Sequence, residues 1–283
     1  MIAAPPEGAA SQGLWKGDPI GRAEGEEAAS KPARCGPAAG GPRSPVIAID
    51  GPGGAGKSTI AAGLARRTGF LHLDTGAMYR AVALAVLRLG APPEPGALDE
   101  DEVLRAVEAC GLEVVRRGAR QEVRLGGRSV ADELRRPEVE ALVPHVARLP
   151  GVRRAAVPLQ RSLAEGGGVV AEGRDMATAV FPDAEFKFFV TAELEERARR
   201  RREELRRRGE DVPLDEVRRI LAERDEMDSR RPVGALRRHP DAVLVDTTGL
   251  TAPEAVQRIL DACSGAVLAA AAAEAGGADG SDA

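Results

Sequence analysis

The sequence predicts an α/β fold, a parallel sheet covered by helices on both faces, and three observations predict it. Between residues 45 and 263, short apolar runs of strand length alternate with amphipathic stretches of helix length. The first run, 46–50, passes through a Gly-rich turn directly into a helical pattern. The chain of 283 residues is 43% hydrophobic and 30% charged, ordinary for a globular protein with one domain and an insertion.

Residues 1–44 are rich in Gly, Ala, Pro and Ser and carry neither the strand nor the helix period. Such a segment buries too little apolar surface to offset its ordering entropy, which predicts a disordered tail. Strands are expected at 46–50, 70–74, 169–172, 186–190 and 243–245, giving a five-stranded parallel sheet. Helices are expected at 57–67, from 75 to 89, and near 193–208, 214–228 and 252–262. The interval 90–150 breaks the rhythm. After a Pro-rich loop it reads as a helix at 99–109 and two antiparallel strands, 112–115 and 122–125, an α+β insertion into a core made of 45–89 and 151–263. Residues 264–283 form a second low-complexity tail, and no internal repeat is present.

Composition excludes several classes. Aromatics are only 2%, against the exposed rings that single-strand nucleic-acid binders stack on bases. The net charge of −4 provides no global basic field for nucleic acid or anionic membrane. Cys35, Cys110 and Cys263 are odd in number and lack ligand spacing, so neither a disulfide framework nor a zinc site is expected. No apolar stretch reaches membrane-spanning length, and the start lacks the basic and apolar regions of a secretory signal. The expectation is a cytoplasmic, monomeric enzyme.

The chemistry begins with Gly51, Pro52, Gly53, Gly54, Ala55, Gly56, Lys57, Ser58 and Thr59, which match G-x-x-x-x-G-K-[ST] between a strand and a helix. Glycines let backbone N–H groups wrap a phosphate chain at a helix N-terminus, where partial positive charge already lies. Lys57 is expected on the β- and γ-phosphates of a nucleotide such as ATP, and the Ser58 hydroxyl on Mg²⁺. A guanine-reading N-K-x-D is absent, and the four lysines (16, 31, 57, 187) leave no place for one. A second substrate is therefore expected.

Its candidates lie at strand ends, where α/β folds bind ligands. Asp74 and Thr75 open a helix, where Thr75 reads equally as its N-cap and Asp74 as a turn residue, or both as ligand-site residues. Arg80, one turn on, reads as a phosphate clamp. At 172–175, Glu-Gly-Arg-Asp offers Gly173 for close backbone approach, Arg174 for the transferring phosphoryl group and Asp175 for an exocyclic amine of a base. The stretch 195–210 is strongly Arg-rich with interleaved Glu, and Arg218, Arg219, Arg224, Arg230 and Arg231 follow. Most of these read as a solvated face with i,i+4 pairs. Collectively, two Arg-rich helices at about 197–231 read as a lid that meets phosphoryl charge and excludes water.

In order and spacing, IDGPGGAGKST, LDTGAMYRA, EGRDMATAVFPDAEFKFFVTA, EERARRR, ERDEMDSRR and VDTTGLT resemble the bacterial cytidylate kinases, small P-loop nucleoside monophosphate kinases. The resemblance covers about residues 46–260. It implies transfer of the ATP γ-phosphoryl group to CMP or dCMP with Mg²⁺, and makes the insertion the monophosphate-binding domain. Carried over, residues 51–59 hold ATP phosphates. Thr75, Arg80, Arg153, Asp175, Arg224, Asp228 and Arg231 bind the acceptor, and Lys57, Arg174 and Arg224 act on the transferring group. Three positions depart from the family pattern: Pro144 for a usual Ser, Ala177 for Gly, and Glu172 for the Asp often seen. Two alternatives stay open: a P-loop kinase of another acceptor such as UMP, and a nucleotide-switched RNA-binding module.

Overall fold

The computed structural model describes residues 44–90 and 98–263, with the backbone of 16–18. The other parts of the expected tails, Cys35 and the loop 91–97 lie outside the described residues.

The chain runs β1 (Lys16–Asp18), β2 (Val46–Asp50), α1 (Lys57–Thr68), β3 (Leu71–Asp74), α2 (Thr75–Arg88) and α3 (Glu100–Cys110). It continues through β4 (Leu112–Arg117), β5 (Arg120–Leu125), β6 (Arg128–Ser129), α4 (Pro137–Val146), α5 (Pro150–Leu163) and β7 (Val169–Glu172). A π-helical turn at Met176–Val180 precedes β8 (Phe186–Thr191), α6 (Leu194–Arg207), α7 (Leu214–Ser229), β9 (Val243–Asp246) and α8 (Ala252–Ala262).

The expected parallel strands are neighbours in the order β3-β7-β2-β8-β9. The sheet does not stop at five, however: among the described residues it has nine strands. The antiparallel pair β4–β5 of the insertion joins β3 through His72 and Arg120, and β6 extends it. β1 pairs in parallel with β4, so three residues of the expected disordered tail are structured. The physical reason is the free edge of β4, whose unpaired backbone groups recruit any extended segment within reach.

Side-chain alternation places two cores on opposite faces. Ile47 and Ile49 of β2 and Val170 of β7 pack with Ile60 and Leu64 of α1 and Ile259 of α8. Ala48, Leu73 and Ala171 face the other way, onto α2, α4 and α5. This period of two, buried on both sides, is what a covered parallel sheet requires. Helices α6 and α7 form a hairpin with a small core of its own: Ala198, Leu205, Val217 and Leu221.

At the C-terminal edge of the sheet the strands end in Asp50, Asp74 and Glu172. Asp50 is buried and accepts from the N–H groups of Met176 (2.7 Å) and Ala177 (2.8 Å), which ties the loop after β7 to the end of β2. Ala177 thus sits in a π-helical turn fixed by a carboxylate, whatever its side chain.

Candidate active site

A cleft of about 820 Å³ opens at that edge, between the glycine loop, the start of α2, α4 of the insertion and the α6–α7 hairpin. Twelve basic and eight acidic side chains line it. An excess of positive charge, in a chain of net charge −4, marks an anion site.

The glycine loop builds one wall. Gly51 has φ +149°, and a Cβ there would collide with the Val190 carbonyl, so this position is restricted to glycine. Gly56 caps α1 in the left-handed region (φ 89°) with no side-chain cap, leaving the first-turn N–H groups to the cleft. Lys57 is buried and its Nζ donates to the Pro52 carbonyl at 2.7 Å. Burial first, and the Arg174 guanidinium second, push its pKa down to about 7. Gly53, Gly54, Gly56, Lys57, Ser58 and Thr59 line the cleft; Gly51, Pro52 and Ala55 lie behind them.

Ser58 Oγ donates to Glu172 Oε2 at 2.7 Å, and Glu172 Oε1 lies 2.9 Å from His72 Nε2. A hydroxyl beside a buried carboxylate is a set of hard oxygen donors of the kind Mg²⁺ takes alongside phosphate and water. Among the described residues no cluster of three or more His, Cys, Asp or Glu could hold a metal on its own. Read from sequence, His72 has a strand position and no catalytic role, and nothing local reveals that β3 and β7 set it against Glu172.

The second wall collects the acceptor candidates. Asp74, not Thr75, is the N-cap of α2: its Oδ1 accepts from Ala77 N at 3.0 Å. Its Oδ2 accepts from Arg80 at 2.7 Å, so Asp74 aims Arg80 into the cleft. Burial works to raise the Asp74 pKa, and Arg80 and His72 outweigh it. The Thr75 hydroxyl donates to the Glu172 carbonyl at 2.7 Å. Gly173 is packed by its own neighbours, since a Cβ would come within 2.6 Å of Met176 and 2.8 Å of Thr75.

Arg153 and Asp175 form a buried ion pair, and Arg153 Nη1 donates to the Tyr79 hydroxyl at 3.2 Å. Burial raises the Asp175 pKa against the pull of Arg153 and Arg231. Gly234 packs its backbone against this pair, where any Cβ would collide with Arg153. Its signal, a lone glycine past an Arg-rich helix, is too common to read from sequence. Arg174 Nε donates to Asp228 Oδ2 at 2.7 Å, and Arg231 pairs with Asp228 Oδ1. Burial works against ionised Asp228, yet Arg174 and Arg231 hold its pKa below the usual carboxylate range.

Arg224 differs from these. It lines the cleft but has no hydrogen bond or ion pair among the described residues, and its Nε is buried and unpartnered. Burial, then Arg174, push its pKa down to about 10. Every acceptor residue expected from sequence therefore lies on one cleft. Pro144 does not: it is buried inside α4, whose Val143 and Ala147 face the cleft instead. The solvated-face reading of the other arginines holds for many, including Arg219 with Glu216 and Glu223, and Arg207 with Glu203. Arg201 and Arg208 depart from it, pairing with Glu140 of α4 across the cleft.

A strand, a glycine cradle and a helix, facing a buried arginine cluster at the carboxyl edge of a parallel sheet, define a P-loop phosphotransferase. The profile of the cytidylate kinase family matches residues 47–264. The cytidylate kinase of Carboxydothermus hydrogenoformans is 46% identical over 76% of this chain and 95% of its own length. That of Geobacter sulfurreducens is 46% identical over 78% and 93%. The solved structure of TT1252 from Thermus thermophilus covers 78% of this chain and 97% of its own, at a TM-score of 0.38 and 22% identity, a weak likeness beside these. The chain belongs to the cytidylate kinase family.

Proposed function

We propose that this protein transfers the γ-phosphoryl group of ATP to the phosphate of CMP or dCMP, giving ADP and the diphosphate, within the cleft described above. Family membership supports the reaction, and the cleft supports the assignment of residues. The observation that carries it is Arg224: a half-buried guanidinium on the cleft, beside Arg174, with no hydrogen bond or ion pair among the described residues, has room for an anionic ligand.

The glycine loop, from Gly51 to Thr59, takes the ATP phosphates. Lys57 turns from the Pro52 carbonyl to the β- and γ-phosphates, whose charge favours its ammonium form. Thr75, Arg80, Arg224, Asp228 and Arg231 hold the acceptor nucleotide. Asp175, carried by Arg153, accepts from the cytosine amine, a donor that uracil lacks. Phosphoryl transfer leaves charge on the equatorial oxygens, and Lys57, Arg174 and Arg224 neutralise it. The acceptor phosphate is already a nucleophile, so alignment and charge suffice without a covalent intermediate. Ser58 and Glu172 fit Mg²⁺, which would supply further neutralisation of the ATP phosphates. The α6–α7 hairpin, resting on a core of four buried apolar side chains, is the element suited to move as a lid.

A coupled assay of ADP release with CMP, dCMP, UMP and AMP tests the reading. Turnover with CMP and dCMP well above UMP and AMP is expected. Preference for UMP would overturn the cytosine assignment.

A further inference from the structure

We propose that Arg197 and Asp225 are positioning residues for the donor phosphates, a strap by which the α6–α7 hairpin holds the tip of the glycine loop in shape. This rests on the glycine loop being the ATP site.

Both backbone polar groups of Gly53 are engaged from outside the loop. Its carbonyl accepts from Arg197 Nη1 at 3.0 Å, and its N–H donates to Asp225 Oδ1 at 3.3 Å. The same Nη1 donates to Asp225 Oδ2 at 2.5 Å, closing a ring of three groups drawn from α6, α7 and the loop. Arg197 Nε donates to the Ala192 carbonyl at 3.0 Å, which anchors the guanidinium to the end of β8. Arg197 is buried, at 7% exposure, and its Cβ would lie 3.2 Å from a Cβ on Gly54.

Neither Arg197 nor Asp225 lines the cleft, so neither touches the phosphates as placed here. They act through Gly53. A run of glycines has no side chains to hold it in one conformation, so the ordering cost would fall on each nucleotide bound. Two hydrogen bonds to the peptide groups on either side of Gly53, and a third between Arg197 and Asp225, meet that cost within the folded protein. Because both anchors sit on the hairpin, displacement of the hairpin also releases Gly53. Cradle geometry is thereby coupled to closure.

The experiment compares KM for ATP and for CMP, together with titration of a fluorescent ATP analogue into the ligand-free enzyme. Asp225→Ala is expected to raise KM for ATP and weaken the analogue by about tenfold, with KM for CMP changed less than about twofold. Asp225→Asn keeps a carbonyl oxygen for the Gly53 N–H and should recover part of the loss. If Asp225→Ala fails to fold, Asp225→Asn and Arg197→Lys carry the test, each with a donor-side loss of about threefold or more. Unchanged ATP parameters, or equal losses for both substrates, overturn the strap. Lys57→Ala is the control for the underlying assignment. Loss of analogue binding there with intact Asp225 variants overturns the strap alone; unaffected binding in Lys57→Ala overturns the loop as the ATP site.

Discussion

In the proposed assignment, nine consecutive residues, from Gly51 to Thr59, build the donor cradle, and they build it from backbone N–H groups and a helix N-terminus. The acceptor wall instead gathers Thr75 and Arg80 from α2, Arg153 from α5, Arg174 and Asp175 from the loop after β7, and Arg224, Asp228 and Arg231 from α7. Under that assignment the two walls meet the same demand, binding phosphate, with opposite constructions. A backbone site carries little net charge when empty and needs one side chain, Lys57, which burial already brings near neutrality at about 7. A site of arginines must be neutralised to exist at all. Asp74, Asp175 and Asp228 answer Arg80, Arg153, Arg174 and Arg231. Among the described residues, Arg224 alone of these acceptor arginines is left without an ion pair, the others pairing as above. Charge on the acceptor wall is thus paired for stability everywhere except where the transferring group is expected.

The largest effect belongs to the cradle. Lys57→Ala should lower kcat by about 10²–10³-fold or more, from lost transition-state charge stabilisation. Steady-state kinetics with kcat intact and only KM for ATP raised would break the comparison.

Asp50 joins the walls, since it ends the strand that feeds the cradle and caps the turn beside Asp175. Burial pushes its pKa up to about 6 from 3.8, so the folded protein binds this proton more tightly than the unfolded chain. Its contribution is fully present below about pH 4 and is lost as pH rises through about 6. The stability of the parent relative to Asp50→Asn should therefore fall by on the order of 3 kcal/mol between pH 4 and 7. Denaturant titrations across that range check it, and a constant difference would contradict it.

Arg224→Met separates function from stability. Activity should drop by about 10²-fold, while the melting temperature changes little, because Arg224 makes no hydrogen bond or ion pair among the described residues, and its desolvation opposes its weaker attraction to Asp228 and Glu140. Arg174→Met should lower both, since Asp228 loses one of its two cations. A matching fall in melting temperature for the two variants would show that Arg224 is held as firmly as its neighbours.

Asp175→Asn, the smallest of these, should raise KM for CMP by about tenfold and leave KM for ATP unchanged. Equal losses for both would assign Asp175 to holding Arg153 rather than reading the base.

The contrast between the walls also explains what was legible. The cradle spans nine residues in one reading frame of strand, turn and helix, so spacing alone located it. Thr75 and Arg80 were legible as strand-end residues, but which of Asp74 and Thr75 caps α2 depended on backbone angles and on the Glu172 carbonyl that takes the Thr75 hydroxyl. Arg153, Asp228 and Arg231 carry no local signal among so many arginines; family resemblance supplied them. The roles of Tyr79, His72, Gly234, Arg197 and Asp225 went unread because each matters through a partner at least 28 residues away in the chain, such as Asp225 for Arg197.

From its own order of residues this chain determined a covered parallel sheet, a phosphate cradle and membership of a kinase family, because period, glycine spacing and helix-start chemistry act over a few residues. Only the tertiary structure decided that the sheet runs to nine strands among the described residues, which cleft arginine is left without a hydrogen bond or ion pair there, and that the hairpin grips Gly53. Strand edges, ion pairing and burial are properties of segments brought together from across the chain, and their energies exist only once the fold has closed.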